Sequence, residues 1–426
     1  MFTTKILRLF YNIFTYLVSP LLIIHLILRS ISDQRYIERI SERFGFYKAF
    51  ENSMTIWVHA VSYGEVNAAQ SLVRSLLTRY PDHKLVFTCT TPTGSALIRE
   101  LFKDDVINVY LPYDLKGPVI RFFNWARPKV AIIIETEIWP NIYHHCGRKK
   151  IPLILASACI SDDSMKKYSF LFGLFKDSVS QGIVVAAQSE EDADKFISLG
   201  AIEERTYVTG NLKFDNEIHV NSSKKSNNFK TPAITGRFSW TAGSTHDREE
   251  IEIIKAHKLI QEKLPDALLI LAPRKTDRFQ SVSKILDQSH MTYIKWSENI
   301  DTNINVDVLL VDTLGDLPFF YSIADVTFVG GSLFGVGGHN LMEPAILMKP
   351  VITGPRLENV HDIANQFLKN QSIIIAKDFK EISKSVIELS QDKRRCLDMT
   401  SNAMQIIEKN KGSKDKILEL IRPLLN

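Results

Sequence analysis

Cysteine is scarce in this 426-residue chain: the four that occur, Cys89, Cys146, Cys159 and Cys396, stand apart, without C-x-x-C spacing or nearby histidine pairs. That excludes a disulfide framework and a Cys/His zinc site, and fits a reducing, cytoplasmic compartment. An excess of one charge is also lacking, the net being only +4 at pH 7. So small a surplus predicts no nucleic-acid partner, although it suits acidic lipid surfaces and phosphorylated substrates. There is no G-x-G-x-x-G and no G-x-x-x-x-G-K-[ST], so the usual dinucleotide fingerprint and a Walker-type phosphate loop are both missing. Histidines never fall at H-x-x-x-H or H-E-x-x-H spacing, and no catalytic metal or cofactor is expected. Asp192-Ala193-Asp194 has the Asp-x-Asp form used by metal-dependent glycosyl transfer, but it lies within the charged run SEEDADKF and reads as a solvated helix face. Internal repeats and long low-complexity tracts are absent as well.

What is present describes a folded protein of two domains. A 45% hydrophobic and 23% charged composition is globular, and the length exceeds one ordinary core. From Leu9 to Leu28 the sequence LFYNIFTYLVSPLLIIHLIL is almost free of charge and about as long as a bilayer-crossing helix. It is either a membrane-spanning anchor or an amphipathic helix, interrupted at Pro20, that lies in the interface. Lys5 and Arg8 precede it and Arg29, Arg35, Arg39 and Arg43 follow, which favours keeping the following domain in the cytoplasm. Both alternatives place the chain at a lipid surface.

Beyond that segment, short β-branched runs alternate with periodic helical stretches, the pattern of doubly wound parallel sheets. Strands are expected at Thr55–Ala60, Lys84–Thr90, Val130–Ile134, Pro152–Ser157 and Gly182–Ala187, with helices such as Val66–Thr78 and Glu190–Leu199 between them. A polar tract at 217–231 interrupts the alternation, and a second series follows near Phe238–Ala242, Ala267–Ala272, Val308–Val311, Val326–Val329 and Val351–Ile352. The expected division is a membrane-associating segment at 1–50, a domain at 51–216, a linker at 217–231 and a domain at 232–426. Ligands of such sheets lie beyond the carboxyl ends of the strands, so substrate is expected in a cleft between the two domains.

The strand ends carry the chemistry. Glu65, in HAVSYGE, follows the first strand and opens a helix, a position where the helix dipole would favour the ionised form needed by a general base. It is equally an ordinary acid in a first helical turn. Glu135-Thr136-Glu137 closes the strand AIII, one of the two carboxylates being a candidate cap for the helix at Pro140. Lys213, in TGNLKFD, offers a cation. In the second series, Gly243-Ser244-Thr245-His246, Pro273-Arg274-Lys275 and Gly315-Asp316-Leu317 all follow strands, and Arg274 presents a planar fork suited to phosphate or carboxylate. In FVGGSLFGVGGHNLMEPAILMKPVITGP, Phe328 to Pro355, a strand breaks into glycines and is expected to restart as a helix at His339–Pro344. Glycine lets backbone approach a ligand, and a helix start offers N–H groups to phosphate. His59, on a strand, reads as a core or cleft-lining residue.

Taken together HAVSYGE, LPYDL, ETEIWPN, TGNLKFD, GSTH, APR and GGSLFGVGGHNLMEP resemble the 3-deoxy-D-manno-octulosonic acid (Kdo) transferases over nearly the whole chain. The resemblance implies two Rossmann-like domains facing a central cleft, the GT-B arrangement, and transfer of Kdo from CMP-Kdo to a lipid A precursor with inversion, on the cytoplasmic face of the inner membrane. It implies Glu65 as proton acceptor and Glu135 and Lys213 as transition-state stabilisers. It also implies CMP contacts at Pro273, Arg274, Gly315, Asp316, Leu317, Asn340, Leu341, Met342 and Glu343, with no metal. Departures from the family pattern fall at Ser157, Cys159, Arg248, Lys275 and Arg356-Leu357-Glu358. A catalytically silent binding protein of the same fold and a nucleotide-sugar epimerase are the competing readings. Neither the number of Kdo residues added nor the oligomeric state follows from the sequence.

Overall fold

The computed structural model describes residues 2–50, 54–161, 164–165, 173–174, 176, 183–215, 236–298 and 306–425. The chain forms two compact units, one of Met1–Asn216 with Asn410–Asn426 and the other of Glu217–Lys409. The expected linker at 217–231 lies outside the described residues.

In the first unit, helix α1 (Phe2–Ser32) precedes β1 (Thr55–His59), α2 (Tyr63–Arg79), β2 (Lys84–Cys89), α3 (Pro92–Phe102), β3 (Ile107–Tyr110), α4 (Lys116–Ala126) and β4 (Pro128–Ile134). Then come α5 (Pro140–Lys149), β5 (Leu153–Ala158), β6 (Val184–Ala187), α6 (Glu190–Ser198) and β7 (Thr206–Val208). All seven strands are parallel, in the order β3-β2-β1-β4-β5-β6-β7. Such a sheet is covered on both faces, so its central strands are apolar throughout. Alternation still sorts the side chains: Ile56, Val58, Val130, Ile132 and Ile134 enter one core, while Trp57, Ala131 and Ile133 enter the other. The strand order reverses between β1 and β4, where a crevice opens at the carboxyl ends. Glu65 and Glu135 follow those two strands.

The second unit repeats the scheme. It contains β8 (Ser239–Thr245), α7 (Glu249–Gln261), β9 (Leu268–Pro273), α8 (Phe279–Gln288), β10 (Tyr293–Lys295), β11 (Val308–Leu310), α9 (Leu317–Ile323) and β12 (Val326–Val329). After these come α10 (Met342–Ile346), β13 (Val351–Thr353), α11 (His361–Lys369), β14 (Ile373–Ile375), α12 (Phe379–Gln391) and α13 (Lys393–Asn410). The parallel order is β10-β11-β9-β8-β12-β13-β14, with the reversal between β8 and β12. The GSTH turn and the glycine break follow those two strands.

The last helix, α14 (Ser413–Leu425), corrects the expected boundary of the second domain at 232–426, because it belongs to the first unit. Its stripe of Ile417, Leu418, Ile421 and Leu425 is buried with β1 and β4 side chains. Gly412, at φ +93°, turns the chain into it. Asp215 fastens its start by accepting from the Gly412 and Lys414 amides, both at 2.6 Å. Ile421→Ala is expected to cost about 2–4 kcal/mol in a denaturant titration of the whole chain; a loss below about 0.5 kcal/mol, typical of a surface change, would contradict this packing.

Candidate active site

Glu65 sits in the third position of α2, whose N-cap is Ser62. Its carboxylate turns back to accept from the Val61 amide at 2.6 Å and the Ser62 hydroxyl at 3.3 Å, a variant of the capping box. The cap is therefore real, but it does not exhaust the residue. Burial pushes the Glu65 carboxyl up to about 8, the charges of Glu135 and Glu137 add to this, and the two hydrogen bonds offset it only in part. The helix start was expected to favour ionisation; desolvation among like charges wins instead.

Glu135 leaves β4 in the left-handed region, at φ +59°, a conformation costly for a side chain of this size. Its carboxylate is paired with Lys213 Nζ at 2.8 Å. Lys213 rides on a helical turn, Leu212–Asp215, that packs against α2. Ser157, also at positive φ, holds that turn by accepting from the Leu212 amide at 3.2 Å, and Asn211 accepts from the Lys213 amide at 2.9 Å. Glu137 is pushed up to about 7, by burial first, with Trp139 bonding against the rise and Glu135 adding to it. The first unit thus gathers three carboxylates and one ammonium at the strand ends. Two of the acids, Glu65 and Glu137, hold their protons near neutrality, and the third, Glu135, is paired with the Lys213 ammonium.

His59 is wholly buried, bonded through Nδ1 to Thr88, and kept neutral by burial, which lowers it to about 3. It is a core residue. Asp192 accepts from the Ser189 hydroxyl and the Ile160 amide, fixing the start of α6.

In the second unit the glycine break is built differently from the expectation. The helix begins at Met342, not His339, and is only five residues long. The amides of Gly331, Ser332 and Leu333 do converge, at 2.7–2.8 Å, but on the carboxylate of Glu249, which also accepts from the His246 amide at 3.0 Å. The anion in this backbone nest is a protein side chain that ties the GSTH turn to the glycine loop. A Cβ on Gly330 would lie 2.8 Å from the Ser244 carbonyl oxygen, so only glycine permits that approach.

Around this staple the remaining residues converge. His246 and His339 face each other with Nε2 atoms 2.8 Å apart and rings stacked at 5.0 Å. Burial lowers both, His339 to about 4, with His246 and the Arg274 guanidinium acting the same way. Both rings are accordingly neutral near pH 7, one donating to the other. Arg274 leaves β9, its amide bonded to the Thr245 carbonyl at 2.9 Å. Asn340 accepts from the Met342 amide at 3.0 Å, and its side-chain amide reaches Glu343 at 3.4 Å. Glu343 is raised by burial, against which Asn340 and Arg274 act. Asp316 accepts from Trp296 Nε1 at 3.0 Å and Thr313 Oγ1 at 2.5 Å, fixing the Gly315-Asp316-Leu317 turn, in which Gly315 has φ +91°.

Residues 38–216 match the family model described as 3-deoxy-D-manno-octulosonic-acid transferase (kdotransferase), and residues 237–406 match glycosyl transferases group 1. A 3-deoxy-D-manno-octulosonic acid transferase of Haemophilus influenzae is 34% identical over 98% of this chain and 99% of its own length. The chain belongs to the 3-deoxy-D-manno-octulosonic acid transferase family. Another such transferase, from Bordetella pertussis, is 31% identical over 87% of each chain. A UDP-GlcNAc 2-epimerase from Neisseria meningitidis bound to UDP-GlcNAc matches with a TM-score of 0.57 at 14% identity, covering 87% of this chain and all of that one. At that identity the likeness concerns the fold, which is that of GT-B glycosyltransferases.

Within each half of this transferase the residues singled out from sequence lie together: Glu65, Glu135 and Lys213 at one set of strand ends, Arg274, Asn340 and Glu343 at another. Sequence reasoning missed Glu249, although its place three residues after His246 is the spacing of a capping acid. It also gave no role to the His246–His339 pair, whose members are 93 positions apart. Glu249→Ala is expected to destabilise the chain by about 2–4 kcal/mol, since four amides lose an acceptor at about 1 kcal/mol each. Hydrogen exchange at Gly331–Leu333 should quicken at least tenfold; unchanged protection there would contradict the staple.

Proposed function

We propose that this Kdo transferase moves Kdo from CMP-Kdo to a lipid A precursor, lipid IVA, with inversion and with Glu65 as general base. The observation that carries the reading is the arrangement at the β1 and β4 ends: a carboxyl held near 8 beside an ion-paired carboxylate. An acceptor hydroxyl must lose its proton as its oxygen bonds to the anomeric carbon. A carboxylate with such an elevated affinity for protons is a stronger base than an ordinary glutamate. In one displacement the oxygen–anomeric carbon bond forms, the bond from that carbon to the CMP phosphate oxygen breaks, the proton passes to Glu65, and the electron pair leaves with CMP. The anomeric carbon gains positive charge in the transition state. Glu135 stabilises that charge and Lys213 holds the Glu135 carboxylate in place.

The donor belongs to the second unit in this reading, with the CMP moiety contacting Pro273, Arg274, the Gly315–Leu317 turn and Asn340–Glu343. Arg274 supplies the fixed positive charge that the departing phosphate needs. With that charge and the Lys213 ammonium in place, the reaction is proposed to need no metal. The chain acts in lipopolysaccharide biosynthesis at a membrane, and the N-terminal apolar helix is proposed to keep it on the cytoplasmic side of the inner membrane.

Measurements with CMP-Kdo and a tetraacylated lipid A precursor test this. Glu65→Gln is expected to lower kcat by about 10²–10⁴-fold while leaving CMP affinity unchanged; a variant retaining more than a tenth of wild-type turnover removes Glu65 from the role. Because the base works ionised and its carboxyl is raised to about 8, activity should climb with pH through that value and be lost as pH falls below it. Glu135→Gln, which removes one of the charges that raise Glu65, should move this acid limb to lower pH as well as slowing the reaction. A limb that stays in place would contradict the coupling. Turnover should survive exhaustive treatment with EDTA; its loss and restoration by a divalent cation would overturn the metal-free step.

A further inference from the structure

Helix α1 is apolar enough to cross a bilayer, with mean hydropathy 1.8 across Lys5–Ile31 and no acidic residue. Its surroundings oppose a crossing. Along its first half one face is pinned to the first unit. Tyr11 donates to Asp114 at 2.8 Å, the Gly117 amide donates to the Tyr16 hydroxyl at 3.0 Å, Asn141 donates to Asn12 at 2.9 Å, and Arg8 contacts His144. Asp114 is itself buried and caps α5 through the Asn141 and Ile142 amides, so the docking point is part of the folded core.

After the helix ends, the chain is pinned to the same unit again. Arg39 donates to the Asn108 carbonyl at 3.2 Å, Glu42 accepts from the Tyr110 amide at 2.8 Å, and the buried Arg43 donates to the Thr90 carbonyl at 2.9 Å. Both fastenings therefore lie on one side of any membrane. Only residues 17–38 separate them, whereas leaving and re-entering through a bilayer takes about 40 helical residues. A single crossing would require one set of these hydrogen bonds to be broken.

The opposite face of the helix has the composition of a membrane surface. Phe10, Phe14, Leu17, Leu21, Ile24 and Leu28 recur at three- and four-residue spacing and are 51–72% exposed, while Leu26, on the docked face, is 4% exposed. Exposed Lys5 and Arg29 flank the stripe near either end of the helix, which matches an anionic lipid surface. We propose that α1 lies in the plane of the membrane interface, stapled to the first unit by Tyr11, Asn12 and Tyr16, with the apolar stripe immersed among anionic phospholipids and both chain ends on the same side. The occupant of the stripe is the lipid interface rather than a second copy of the chain.

The test is one of topology and does not depend on transferase activity or on the role of Glu65. The full chain would carry a protease-cleavable tag at each end and be examined in inverted membrane vesicles and in spheroplasts. Both tags are expected to be cut in the inverted vesicles and neither in spheroplasts. Cleavage from opposite sides would overturn the proposal, and so would recovery of the chain in the soluble fraction as a dimer. Leu17→Glu combined with Leu21→Glu, at exposed positions, is expected to reduce partitioning onto phosphatidylethanolamine/phosphatidylglycerol vesicles at least tenfold; unchanged partitioning would also overturn it.

Discussion

The 2.8 Å pair between Lys213 and Glu135 joins parts of the first unit that are distant in sequence. Glu135 ends a central strand, and Lys213 comes from a turn held by Ser157 and Asn211 and packed on α2. The same turn ends at Asp215, which fastens the C-terminal helix. The charge of Glu135 acts in turn on Glu65 and Glu137, whose carboxyls are already disfavoured as anions by burial. Burial and that neighbouring charge together raise two of the three acids gathered at these strand ends. Removing the lysine would leave a carboxylate unpaired in a left-handed backbone position and loosen the turn that positions it.

Much of this was legible in the sequence because the central strands of a covered parallel sheet must be apolar on both faces. Thr55–His59, Pro128–Ile134 and Leu268–Pro273 announce themselves as continuous runs. The strands that escaped, β3, β7, β10 and β14, are the four sheet edges. They are three or four residues long and only partly buried, so neither a long run nor a clean alternation marks them. The C-terminal helix was hidden for another reason: its apolar stripe shows that it packs, and nothing local shows against which unit.

The site divides in the same way. Residue identities at strand ends were readable, since parallel sheets place ligands there, but their electrostatics were not. A helix start argues for an ionised Glu65, and only the fold reveals the desolvation and the two neighbouring acids that reverse the conclusion. The glycine break likewise reads as an anion nest. Its amides indeed meet an anion, yet that anion is Glu249, which no spacing rule connects to residues more than 80 positions away. The glycines serve close packing of one loop on another.

The account stands on a carboxyl at position 65 that keeps its proton far above the usual range and can therefore act as a strong base. Direct titration of that group by carbon-13 NMR of glutamate-labelled protein, with Glu65→Gln identifying the resonance, measures this without catalysis intervening. The account predicts a midpoint near 8; a midpoint near the ordinary glutamate value of 4.5 would contradict it.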